Sequence, residues 1–106
     1  THTRNVMFDL IIRNAILVGD LYQQASKICG DIKRSIEQLG GSLDDAVRTR
    51  VFVTDISQWA AAGQANFQAF GHMEVPPASA FDGINELLHP DLLIEIEATA
   101  IVGGAK

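Results

Sequence analysis

The chain has 106 residues and a formal net charge of −5, with 47% hydrophobic residues. One domain spanning 1–106 accounts for that length, and its core is small enough for self-association to be a ready source of added stability. The acidic balance gives no basic footprint for a nucleic-acid backbone, and no apolar run reaches the ~18 residues of a membrane span.

The opening Thr1-His-Thr-Arg-Asn5 lacks a signal-peptide layout, so a cytoplasmic address is expected, with no membrane partner and nucleic acid unfavoured. Residues 6–18 are apolar and β-branched, broken by Asp9 and by Arg13-Asn14. Two short strands meeting at a tight turn fit this pattern, as does a single longer strand.

From Asp20 the period changes. Leu21, Ala25, Ile28, Ile32, Ile36 and Leu39 recur at helical steps, with Asp20 as N-cap and Gly40-Gly41 as stop. Gly30 falls inside this helix, where it costs up to ~1 kcal/mol relative to Ala, and a close approach to a sheet would explain it. Cys29, the single cysteine, sits beside Ile28 and reads as a buried structural thiol.

Ser42-Leu-Asp-Asp45 reads as a helical turn or loop. In the strand that follows, 46–54, Val47, Thr49, Val51 and Val53 alternate with Arg48, Arg50 and Phe52. Two arginines on one face invite an anion-site reading, against which stands an exposed or inter-subunit face where they pair with carboxylates. A second helix opens at Asp55 or Ser57, with Trp59, Gly63, Asn66, Phe67 and Phe70 expected on its inner side. Val75-Pro-Pro-Ala78 is a loop, and 79–84 forms a short strand with Ser79, Phe81 and Gly83 on one side.

The closing strand, 92–102, is free of Gly and Pro. Leu92, Ile94, Ile96, Ala98, Ala100 and Val102 make one apolar row; Leu93, Glu95, Glu97, Thr99 and Ile101 make the other. Glu95 and Glu97 therefore point the same way about 7 Å apart, two residues of strand rise. That row is either a solvated face or the place where chemistry sits. The order of elements gives an α+β protein, a mixed sheet with two helices packed on one face. His2, His72 and His89 have no metal-ligand spacing, and no nucleotide fingerprint occurs, so neither a metal nor a cofactor is expected.

The run SLDDAVRTRVFVTDIS (42–57), the Trp helix, the Pro-Pro-Ala loop and HPDLLIEIEATAIV (89–102) together resemble the RidA/YjgF family of reactive-intermediate deaminases. The resemblance covers about residues 19–102. It implies a chorismate-mutase-like fold, a homotrimeric barrel with ligand clefts between subunits, and hydrolysis of small imines or enamines to ketone and ammonia. It places the water-orienting glutamate at Glu95. The family arginine that clamps a substrate carboxylate is replaced by Ser79, or by Ala80 if the gap is placed differently, which makes Ser79, Ala80 and Phe81 the expected substrate contacts. Arg48 and Arg50 are the nearest cations that could replace the clamp. The family's first strands and Ser-Gly turn are not recognisable in 1–18, and Tyr22 or Phe8 would have to supply the aromatic cleft residue. The alternative on the same fold is a homotrimer that binds a small metabolite without turnover.

Overall fold

The computed structural model describes residues 6–12 and 19–103. Its strands are β1 (Val6–Ile12), β2 (Ala46–Val53), β3 (Ala78–Gly83) and β4 (Ile94–Val102); its helices are α1 (Leu21–Gln38) and α2 (Trp59–Phe70). Short 3-10 turns at Leu43–Asp45 and Ile56–Gln58 lead into β2 and α2. The sheet runs in the order β1-β4-β2-β3, with β4 antiparallel to both neighbours and β2 parallel to β3.

Parallel strands need a crossover, and helices supply it in both β1-α1-β2 and β2-α2-β3. Both helices pack on the same face of the mixed sheet, as the alternation of β and α patterns predicts. β4 fills the slot left between β1 and β2. The turn expected at Arg13-Asn14, and any strand beyond it to Val18, lie outside the described residues.

α1 begins with a reciprocal cap, in which Gln23 N donates to the Asp20 carboxylate at 2.9 Å and Asp20 N donates to Gln23 Oε1 at 3.0 Å. It stops where Gly40 adopts φ +89°, a value that costs other residues a Cβ clash. The expected stripe Leu21, Ala25, Ile28, Ile32 and Ile36 is buried, and Leu39 at the cap is 39% exposed.

Gly30 is explained differently from expectation. Among the described residues a methyl group there would meet only Arg34 Nη1, at 3.6 Å, so none of the described strands approaches it. It borders the groove between α1 and α2, beside Ala65 and Ala69. Gly30→Ala is therefore expected to stabilise the fold by about 0.5–1 kcal/mol through helix propensity, read as a higher urea midpoint.

Two facing assignments are corrected. In β2 the register skips Val47 between the Ala46–Ala100 and Arg48–Thr99 pairs, a β-bulge, so Ala46 is buried and Val47 only half so. In α2 the buried stripe is Ala62, Ala65 and Phe70, while Trp59 and Phe67 are 60% and 63% exposed. Alanines allow the close approach to α1 that bulky rings would block, which turns the aromatic side outward. Asp55 caps the turn before α2, and donation from the Ser57 hydroxyl and backbone N–H holds its carboxyl below the usual range.

The core is closed by α1 and Phe70 of α2 over Val51 and Val53 of β2 and Ile94, Ile96, Ala98 and Ala100 of β4. The apolar row of β4 therefore faces the helices, and Glu95, Glu97 and Thr99 face away from them.

Candidate functional site

Glu95 and Glu97 are half-buried on the open sheet face, placed by the register of β4 against β2. Phe52 pairs with Glu95, Arg50 with Glu97, and Arg48 with Thr99. Arg50 Nη1 lies 4.0 Å from Glu97 Oε1, with the two side chains 41% and 32% exposed, and its guanidinium carbon sits 5.2 Å from the Phe52 ring centre. At that distance and exposure the pair is a weak, screened contact. Ala80 shares this face through its pairing with Arg50.

Ser79 and Phe81 lie on the other side. Ser79 pairs with Thr49 and Phe81 with Val51, whose side chains point towards the helices. The Ser79 and Thr49 hydroxyl oxygens are 2.7 Å apart. Ser79 Oγ also donates to the Pro77 carbonyl at 3.4 Å and accepts from Asn66 Nδ2 at 3.5 Å. Its hydroxyl is thus engaged with β2, α2 and its own loop.

The expected site residues divide between the two faces of one sheet. Glu95, Arg48, Arg50 and Ala80 are on the open face; Ser79 and Phe81 are on the helix side. A four-stranded sheet stands between them, so one copy of the chain does not bring the two groups into a single pocket. Tyr22 donates its hydroxyl to Gln68, joining α1 to α2. Phe8's side chain lies outside what is described.

Sequence patterning missed Gln24. It is 2% exposed, within the apolar stripe, and its carboxamide makes three contacts. Nε2 donates to the carbonyls of Asp91 at 3.1 Å and Gly19 at 3.5 Å, and Oε1 accepts from Leu93 N at 3.0 Å. A polar residue at a core position of an amphipathic helix was the available signal.

Cys29 is buried as expected, and burial pushes its thiol up to about 11. A thiol whose folded value exceeds the unfolded one of roughly 8.5 stabilises the fold fully below pH ~8.5, and that contribution is lost as pH rises towards 11. Labelling by a thiol reagent at pH 8 is accordingly expected to be slow in the folded protein and fast in urea; fast labelling of both would contradict the burial. His72 is exposed with its ring 5.7 Å from that of Phe67, and His89 Nδ1 accepts from Asp91 N at 3.1 Å. Among the described residues no cluster of His, Cys, Asp and Glu could hold a metal ion, and no helix is long and apolar enough to cross a membrane.

Residues 11–102 match the family described as Endoribonuclease L-PSP. A RutC family protein of Pyrococcus abyssi is 33% identical over 85 residues, covering 80% of this chain and 65% of its own length. The chain thus spans about two thirds of that relative. The crystal structure of a YjgF/YER057c/UK114 family member from Mycobacterium tuberculosis superposes with a TM-score of 0.75 at 40% identity, covering 80% of this chain and 71% of that one. A Rid family protein of unknown function from Yersinia pestis gives 0.72 at 32% identity, covering 89% and 78% respectively. With the four-stranded sheet, the two crossover helices and a match running through β4, the chain belongs to the endoribonuclease L-PSP family, the RidA/YjgF group.

Proposed function

We propose that this protein hydrolyses an imine, enamine or related C–N bond of a small, uncharged substrate, with Glu95 orienting the attacking water. The observation that carries the reading is the placement of Glu95. It is a half-buried carboxylate on the central strand, on the sheet face opposite the apolar core and the two helices. A carboxylate fixed on a rigid strand in a partly dry cleft can take a proton from water and return it to the leaving nitrogen.

The cleft in this proposal is completed by a second copy. Glu95 and the Ser79–Phe81 segment lie on opposite sheet faces, so a pocket that uses both draws Glu95 from one protomer and Ser79 and Phe81 from its neighbour. A homotrimer of the kind associated with this family meets that requirement. Arg48 and Arg50 would then lie along the interface near Glu97.

Substrate charge follows from Ser79. A planar arginine fork suits a carboxylate, whereas a hydroxyl supplies no charge, and this one is occupied by Thr49, Pro77 and Asn66. Neutral imines are therefore the expected substrates in preference to small imino acids. The same occupied hydroxyl also favours a second reading, a trimer that binds a small metabolite without turnover. The two are separated by mixing freshly generated imines with the wild-type chain and Glu95→Gln. Faster decay with the wild type alone supports hydrolysis; saturable binding without product supports the second reading. RNA cleavage is disfavoured by the net charge of −5.

A further inference from the structure

We propose that Trp59, Gly63 and Phe81 form a slot that takes a flat apolar group of the substrate, which makes the imine of an aryl-bearing carbonyl compound the favoured class. The inference rests on the reading of the Ser79–Phe81 segment as part of the cleft. α2 lies along β3, the edge strand of the described sheet, with Asn66 Nδ2 3.5 Å from Ser79 Oγ and Ile56 packed against Gly83. Gly63 falls between these two contacts. A methyl group added there would meet Phe81 Cε2 at 3.9 Å and Trp59 Cε3 at 4.0 Å as its nearest described neighbours, so two aromatic rings border a position that has no side chain.

Those distances are ordinary van der Waals contacts, so an alanine would fit among the described residues. A glycine inside a helix weakens it, and this one has neither a positive φ nor a close approach among those residues to require it. Phe67, one turn further along, leaves the space open. Its ring folds back over Gly71, where a methyl group would meet Phe67 Cδ2 at 2.5 Å, and faces His72 with ring centres 5.7 Å apart. On the other side Trp59 is 60% exposed, an indole beside a bare helix turn that a flat ring can cover edge-on or face-on. The three slot residues carry no charge, in keeping with the uncharged substrate inferred from Ser79. Phe81 follows Ser79 by two residues on the same side of β3, about 7 Å along the strand, so one small ligand can reach both.

The test compares imines formed from phenylacetaldehyde and from acetaldehyde, each rate corrected for spontaneous hydrolysis. The full-length wild type is expected to favour the phenyl compound about tenfold or more in kcat/KM. In Gly63→Leu, which fills the slot with a better helix former, and in Trp59→Ala that ratio should fall to within about threefold of one. A ratio near one in the wild type, or one that both variants keep, overturns the slot and leaves hydrolysis standing. A second readout needs no turnover, because Trp59 is the chain's one tryptophan. Its emission should change saturably with benzamide, not with acetamide, and the benzamide response should vanish in Gly63→Leu. That result in a protein that hydrolyses neither imine removes the proposed activity and keeps the aryl site. A response that is linear, that acetamide reproduces, or that survives Gly63→Leu overturns the proposal. So does emission that shifts on dilution without benzamide, which would show that a second copy already covers the indole.

Discussion

Glu95→Gln will lower kcat for imine hydrolysis by about 10²–10⁴-fold, the range over which a positioned acid or base contributes. The amide keeps the size and planarity of the carboxylate and loses its ability to take up a proton from water. Thermal unfolding of the variant, measured alongside, separates a chemical loss from one of folding. Glu97→Gln is the matched control: it lies two residues along the same row, opposite Arg50, and should leave kcat near the wild-type value. The measurement is the first-order decay of a freshly formed imine, corrected for its spontaneous hydrolysis. Equal rates for wild type and Glu95→Gln would end the catalytic reading.

Ile96→Ala should cost about 2–5 kcal/mol, the usual range for truncating a buried Ile to Ala. Ile96 is 1% exposed and lies on β4 directly between Ile12 of β1 and Val51 of β2, with α1 closing over the same row. Its removal takes away apolar burial and leaves a void in a position that sheet pairing prevents from collapsing. Against a total stability of about 5–15 kcal/mol that is a large fraction, visible as a much lower urea midpoint with an unchanged slope. A shift worth less than about 1 kcal/mol would mean that β4 is not the centre of the core. Since Glu95 is the next residue along, the variant's activity per folded molecule also shows how far the site depends on that packing.

Much of this was legible from residue order. β4 could be read because its alternation is uninterrupted over nine residues, Ile94 to Val102, and one of its rows is wholly apolar. α1 could be read because its cap, its stripe and its terminal glycines agree. The failures have a common cause, which is that periodicity states which residues share a face and not what covers that face. Helical spacing puts Trp59 and Phe67 inward, but Ala62 and Ala65 let the helices meet closely and so occupy the interface. Which copy of the chain supplies each cleft residue is likewise not in the pattern: the pairing with Thr49 puts Ser79 on the sheet face opposite Glu95. Gln24 was overlooked because its partners, Asp91 and Leu93, are backbone atoms 67 and 69 residues away. No local pattern encodes a contact of that span.

The slot between β1 and β2 has a consequence during synthesis. The strand that fills it is translated after all its neighbours, so a nascent chain carries two unsatisfied ladder edges until that segment clears the ribosome. Every sheet contact of this strand is remote in sequence, which makes its insertion the slow, entropy-limited step. Stalled or prematurely ended chains would consequently display paired sticky margins, and are the species on which chaperones and proteases should act first.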